Sequence, residues 1–575
     1  HWYPWSDRIT CTLDILMHLP RSVFSQKQLD LFLWLLRVNG VSDVPSVKTM
    51  KSLNEAIQKM CGIDTLCYDG ALGNRYYVNS MAQIIAQEMS NPRVRPKLHF
   101  YPEDSGHHLS QARQAQRWLN EAPNELLTPM ARIDKHDFFI YEPAMLMNGS
   151  WCIPVRWFSR HDILYARCWH MAPVVSDSNI NSGWQVITAE FDVPANQFLK
   201  NFEELKSDAE PLYRLPHPSR LLEVLSADRQ TRSSWTFTNP MEGNRWRKLA
   251  EGHRVVSFPI WMYCDDTSGN VSKKWNEHNS FLFTAAGLPR EESSKEYNVH
   301  FLCTSNTARP LEMLDGIIDQ LEAAQENGIW AWDCETKEPI LVLPWVLALL
   351  GDNPMQSEFA GHIGLRGKYF CRVCWVKGVD ASNREPEAGD SDGAHSEGSK
   401  QPKKKKAKFV ETFTQMVDRV SSFIKARRPR EKDETTTQLR SYFTAAKILG
   451  TKTKVKAEHT SSGVKDTFQE HFLNRLFDSY SNKRTTAARQ AALEQEVRSM
   501  PEEVTSPVWR IKGLDPHRDT PVEILHVVLL GFLKYMWRDL VNQVKNQDEL
   551  KKLLEIRLMS LDVKGLDISP IAGHT

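Results

Sequence analysis

Three acidic positions stand where an apolar stretch gives way to polar sequence. Asp265 and Asp266 follow the run Arg254 to Cys264, Asp352 follows Ile340 to Leu350, and Glu523 heads the run Ile524 to Trp537. A carboxylate at the rim of a core loses hydration, so it needs a cation, a hydrogen-bond donor or water to offset the loss. A pair of divalent cations, Mg²⁺ or Mn²⁺, meets that need. Held roughly 3.5 to 4 Å apart, such ions polarise a phosphodiester, activate a water or a DNA 3′ hydroxyl, and stabilise the departing oxygen. Each acid also has a plain structural reading. Asp265 and Asp266 suit a hairpin turn, Asp352 suits the cap of a helix that Pro354 opens, and Thr520-x-x-Glu523 suits a capping box with Pro521 in its first turn.

Cys371 and Cys374 have the spacing of half a tetrahedral site, in which two thiolates on a tight knuckle hold a structural Zn²⁺. The other two ligands could come from His362, Cys303, Cys334, His459, His471 or His517, and two reduced thiols are the alternative. His526 falls one turn beyond Glu523, where it orients that acid or the DNA, or else serves as a core histidine bonded to backbone. His107 and His108 are adjacent on a loop and read as solvent-facing.

The elements that must position these groups are written in periodicity and punctuation. Ser25 to Gly40 reads as a helix with a serine cap and a glycine stop, and a second helix runs from about Pro45 to Gly62. Between 75 and 240, short runs such as Phe138 to Tyr141, Trp151 to Phe158 and Trp184 to Ile187 alternate with polar breaks, an α+β pattern. From 254 the order is strand, strand, strand, a helix from Leu311 to Asn327, then the apolar segment ending at Leu350, which is an α/β order. Asp265 to Asn270 reads as a turn. Residues 380 to 408 are rich in Gly, Ser, Glu and Asp and close on Pro402-Lys-Lys-Lys-Lys-Ala-Lys408, a disordered insertion with a basic end that suits nuclear import. Charged helices resume to about 505, and the run after Glu523 is apolar nearly all round, so it reads as a buried helix.

Composition bounds these readings. The chain has 575 residues, enough for several domains, with 41% apolar residues and 18 Trp. Ten scattered cysteines favour a reducing compartment, and no apolar run has membrane-spanning length. The net charge is only +1, yet residues 401 to 465 hold 17 Lys or Arg against 6 Asp or Glu. That local basic character suits phosphate neutralisation. Starting at His1 without a basic-then-apolar leader, the chain reads as a fragment.

The stretches Tyr263-Cys-Asp-Asp-Thr-Ser-Gly-Asn-Val-Ser-Lys-Lys-Trp-Asn276, Gly351-Asp-Asn-Pro-Met-Gln-Ser-Glu358, Gly367-Lys-Tyr-Phe-Cys-Arg-Val-Cys374 and Thr520-Pro-Val-Glu-Ile-Leu-His-Val-Val-Leu-Leu-Gly531 resemble Plavaka transposases, fungal relatives of the CACTA cut-and-paste elements. The resemblance runs through most of the chain and fails over 380 to 408. It implies an α/β, RNase H-like catalytic core with a large insertion, preceded by a helical and mixed α+β N-terminal region. The expected parts are a helical region at 1–74, a mixed region at 75–245, a first core part at 250–375, an insertion at 376–510 and a last core part at 511–575. It further implies a nuclear DDE-type transposase, homo-oligomeric, acting on transposon terminal repeats and target DNA. Its divalent metals would lie on Asp265 or Asp266, on Asp352 and on Glu523, with Asp265 preferred as nearer the strand end. For DNA contact the basic candidates are Lys403, Lys404, Lys405, Lys406, Arg427, Arg428 and Arg430, with Lys273 and Lys274 as a smaller patch near the first acids.

Overall fold

The structure is a computed structural model and describes residues 2–18, 25–174, 182–207, 215–268, 277–377, 412–425 and 427–559. The insertion at 380–408, with Lys403 to Lys406, and the pair Lys273 and Lys274 lie outside the described residues.

Ser25 caps the helix Gln26–Val38 through a full capping box with Gln28, and Gly40 follows with a left-handed φ of 76°. The next helix, Val47–Cys61, is capped by Ser46. These agree with the periodicity and cap residues. Beyond a hairpin of Thr65–Asp69 with Arg75–Asn79, residues 144–233 form a seven-stranded sheet around the long strands Trp151–Arg160, Ile163–Val174 and Gly183–Pro194. Its interior is aromatic, with Trp157 and Trp184 fully buried.

A second sheet carries the acids. Its strands are β1 (Arg254–Ser268), β2 (Glu277–Ala285), β3 (His300–Ser305), β4 (Ile329–Asp333) and β5 (Glu338–Leu350), with helix α1 (Pro310–Asn327) between β3 and β4. Helix α2 (Asn353–Phe359) leaves the end of β5. The spatial order is β3-β2-β1-β5-β4, with β1 antiparallel to β2, β2 antiparallel to β3 and β1 parallel to β5. β4 forms an antiparallel hairpin with β5. The molecule is thus mixed α/β.

Both faces of this sheet are covered. On one, α1 and the helix Met81–Ser90 pack Leu314, Ile317, Ile318 and Ile85 against Phe258, Ile260, Met262 and Val346. On the other, Trp118 and Leu126 meet Trp345 and Leu347, while Met130, Phe139 and Trp246 meet Val255, Leu341 and Leu343. Double burial explains why β5 reads as one continuous apolar run. The helices Lys432–Ala446, Lys452–Ser462, Thr467–Ser479 and Thr486–Arg498 build a smaller core of their own from Leu439, Tyr442, Leu473, Leu476 and Leu493.

Two expectations are corrected here. Asp265 and Asp266 do not begin a turn: β1 continues to Ser268, pairing Asp265 with Ser280 and Asp266 with Asn279. The partner strand β2 supplies a ladder that extends the pairing past the apolar run. The apolar run after Glu523 is helical but not buried. No side chain of Leu525–Leu533 or Lys534–Val544 is buried, and Ile524, Phe532 and Met536 are each about two-thirds exposed. With both sheet faces already occupied, the described residues leave that helix no apolar surface to cover.

Candidate functional site

Alternation along β1 sets the first acid. Met262 and Cys264 point into the core, so Tyr263 and Asp265 share the opposite face. The Tyr263 hydroxyl donates to Asp265 Oδ2, and the Asp266 amide donates to Asp265 Oδ1 at 2.8 Å.

The second acid is brought level with the first by a register shift. β1 and β5 run parallel, and between Ile260 and Trp261 the pairing advances by one extra residue on β5, so that Tyr263 faces Leu350. Two residues further along each chain come Asp265 and Asp352. Without the extra residue Asp265 would stand opposite Gly351. Gly351 allows the close passage, since a Cβ there would lie 2.8 Å from the Cys264 carbonyl and 3.1 Å from Met355 Cβ. Asp352 also caps α2, its Oδ1 accepting from the Met355 amide at 2.8 Å. Burial raises the Asp265 carboxyl above its ordinary value, and the charges of Asp352 and Asp266 add to the rise against the hydrogen bonds from Tyr263 and the Asp266 amide. Two carboxylates in electrostatic reach at the carboxyl ends of neighbouring parallel strands suit a cation.

The third acid arrives on a separate segment that is tied to the second. The Leu349 amide donates to the Asp519 carbonyl at 2.9 Å, and the Gln356 side-chain amide donates to the Pro521 carbonyl. Arg372, between the two cysteines, completes the tie. Its Nη1 donates to Asn353 Oδ1 at 2.8 Å, Nη2 to Gln356 Oε1 and to the Thr520 carbonyl at 3.0 Å, and Nε to Thr520 Oγ1 at 3.2 Å. One buried guanidinium thus joins the helix that follows Asp352 to the turn that precedes Glu523.

Glu523 itself is turned to its own helix. Both carboxylate oxygens accept from the His526 amide, at 2.8 and 2.9 Å, and Oε1 lies 2.8 Å from His526 Nδ1. Thr520 is therefore not the cap: it is buried and donates to the Pro516 carbonyl. His526 is not a core histidine either, since its side chain is half exposed and contacts Glu523. Among the described residues no three His, Cys, Asp or Glu side chains gather as a metal site. Asp265 and Asp352 come together, and Glu523 does not join them, because local N–H donors satisfy it at the helix start.

The same finding applies to the knuckle, where Cys371 and Cys374 are mutually close and burial, with the neighbouring thiol, pushes Cys374 up. Two of the imidazoles that could complete a zinc set, His362 and His517, are hydrogen-bonded elsewhere through both ring nitrogens. His362 bonds the Tyr369 carbonyl and accepts from the Gly364 amide, and His517 bonds Thr435 and the Arg372 carbonyl. His459 faces Glu470, Cys303 packs in the sheet against Met313, and His471 lies beside Phe472. Cys334 is anchored by its amide to the Met89 carbonyl.

Of the basic candidates, Arg427 and Arg428 are exposed, and Arg428 pairs with Glu434 at 2.8 Å. Arg430 belongs to the interior, a correction to its expected place on a DNA-facing surface. Its guanidinium is fully buried over the Trp375 ring at 4.1 Å, donating to the Cys371 and Ser462 carbonyls. Tyr263, Gly351, Gln356 and Arg372 were not singled out by sequence. Period-2 alternation through Asp265 was the signal that would have found Tyr263; the others carried none.

Residues 130–256 match the family described as a domain of unknown function, DUF8591. That segment contains all seven strands of the first large sheet and ends in the first residues of β1. No curated protein matches the chain.

Proposed function

We propose that the chain is a Plavaka-type DDE transposase that cleaves DNA at transposon ends and joins the freed 3′ hydroxyl to target DNA. One observation carries this reading: Asp265 and Asp352 stand level at the ends of the two central parallel strands, with the Glu523 segment tied beside them through Arg372. The sheet order β3-β2-β1-β5-β4 supports an RNase H-like core, although its β4 edge strand runs antiparallel to β5.

An all-oxygen donor set suits Mg²⁺ or Mn²⁺. When bound, such ions would neutralise the phosphodiester and polarise the attacking oxygen. The chain's own part is positional. Asp265 and Asp352 would hold the charge centre, Tyr263 fixes the Asp265 rotamer, and Glu523 would complete the set after exchanging its His526 amide bonds for the cation. Arg427, Arg428 and the exposed Lys454 and Lys456 would neutralise DNA phosphates, together with the lysines at 273, 274 and 403–406. A structural Zn²⁺ on Cys371 and Cys374, a nuclear location and a homo-oligomer belong to the same proposal. The exposed apolar helix after Glu523 supports the last of these.

A second reading, a relic that binds DNA without cutting it, is favoured by Glu523 remaining on its own helix. One assay separates them. Purified protein is incubated with labelled element-end DNA and Mg²⁺ or Mn²⁺, and joined products are resolved on a gel. Strand transfer by the wild type, lost in Asp265→Asn, Asp352→Asn and Glu523→Gln with DNA binding kept, supports the enzyme. DNA binding with no joined product in any form supports the relic.

A further inference from the structure

A cavity of about 640 Å³ lies where the seven-stranded sheet region meets the far end of α1, built by residues that the acid site does not use. Its most distinctive wall is aromatic. Phe237 stacks on Tyr141 with ring centroids 4.7 Å apart, and Trp169 and Trp235 meet it edge-on at 5.1 Å each. Packed on three sides, Phe237 is still 41% exposed. Its loop is pinned in place: Trp235 Nε1 donates to the Thr238 carbonyl at 3.0 Å, and Thr238 Oγ1 donates to the Tyr141 carbonyl at 3.2 Å. A pinned aromatic ring that lines a cavity and keeps 41% of its surface exposed can serve as a stacking platform.

The polar lining adds the rest of a ligand's outline. Arg245, Lys248 and Lys512 line the cavity and are exposed. The lining acids are Glu125 and Glu242, so three cations stand against two carboxylates, and Glu125 already accepts from the Tyr141 hydroxyl. Gln325, only 6% exposed, forms part of the wall from the end of α1. Its Nε2 donates to the Pro344 carbonyl at 3.2 Å, which fixes the amide's orientation, and its Oε1 has no partner among the described residues. A buried acceptor left without a donor is costly.

A flat π system, an N–H donor and a phosphate are together the features of a nucleotide. We propose that this cavity binds one nucleotide, its base stacked on Phe237 and donating toward Gln325, its phosphate met by Arg245, Lys248 and Lys512. The nucleotide is either a free mononucleotide or an unpaired residue of a DNA strand. The two sources share this chemistry. The site stands independently of Asp265, Asp352 and Glu523.

The test uses the full chain and reads quenching of tryptophan fluorescence, since Trp235 sits against the platform. Deoxyadenosine monophosphate and a fluorescently labelled ten-residue oligodeoxyadenylate are titrated separately, the latter by anisotropy, and then against each other. Saturable binding is expected, with competition between the two. Binding of the oligonucleotide alone assigns the site to a strand, and binding of the mononucleotide alone assigns it to free nucleotide. Phe237→Leu keeps apolar bulk but removes the π face, and should weaken binding about tenfold. Lys248→Glu, on the surface, should weaken it with the fold intact by circular dichroism and should flatten its salt dependence. No binding of either probe, or binding unchanged in both variants, overturns the proposal.

Discussion

At the residue scale, the group whose removal should cost most is the one between the two cysteines. Arg372 is 8% exposed and spends its guanidinium on Asn353, Gln356 and Thr520, so cutting it away leaves several buried acceptors without donors. Bonds from a charged donor contribute about 1.5 to 3 kcal/mol, and an abandoned buried acceptor costs a further 1 to 3 kcal/mol. Arg372→Met should therefore destabilise the chain by about 3 kcal/mol in urea denaturation. Arg372→Lys should recover little, because an ammonium cannot reproduce the fork. A loss below about 1 kcal/mol in the methionine variant would show that the tie between the Asp352 and Glu523 segments is decorative. The acids were legible in the sequence because a carboxylate at the edge of an apolar run is anomalous by itself. Arg372 was not, because nothing local distinguishes an arginine that reaches about 150 residues along the chain to Thr520 from one that reaches water.

At the element scale, legibility followed whether an element's neighbours could be inferred from its own residues. The helix after Ser25 and α1 declared themselves through caps and period, and β5 through an apolar run too short for anything but a buried strand or helix segment. The polar residues after Cys264 read as punctuation, yet the last residues of β1 are held by pairing with β2, which no local signal encodes. The apolar helix Leu525–Leu533 failed in the opposite way. Hydrophobicity states that a face is better covered, not that a cover is present. The difference is measurable, because Phe532 is 67% exposed while Phe472 is fully buried in the core under the acid sheet. Phe472→Ala should cost about 3 to 5 kcal/mol in denaturant melts, whereas Phe532→Ala should stay within about 0.5 kcal/mol. Equal losses at the two positions would mean that the helix is packed in solution. The same measurement on an assembled form, at high protein concentration, would reveal a cost at Phe532 only if a second copy covers it.

At the scale of the whole molecule, the helical unit and the acid sheet are held together by groups whose protonation decides the fit. Arg510 reaches back to Asp315, Asp319 and Glu322 on one face of α1, and Asp466 accepts from the Ser506 amide and Trp509 Nε1. Around the knuckle, His362, His459 and His517 are buried, and burial lowers each to about 4. Because their folded values lie below the ordinary value of 6.5, the neutral rings contribute stability that is fully present above pH 6.5. It is lost as pH falls toward 4. At pH 4.5 the loss is about 2 to 3 kcal/mol per histidine. Asp519 works in the other direction: burial raises it to about 6, so its contribution is present at low pH and lost as pH rises through 6. Burial raises Asp315, Glu358, Asp466 and Glu470 in the same sense, and the three imidazoles, each lowered to about 4, outweigh them and leave acid the destabilising side. Between pH 7 and 4.5 the melting temperature should fall, and backbone amides of 362–377 and 430–465 should lose hydrogen-exchange protection before those of β1 and β5. His459→Phe, which removes one of the three groups while keeping a ring beside Tyr442, should cut the acid-induced loss by about a third. A melting temperature that stays flat or climbs over that interval would mean the imidazoles are charged or exposed in solution, and the knuckle would then not be the rigid bridge that ties the segment preceding Glu523 to the helix after Asp352.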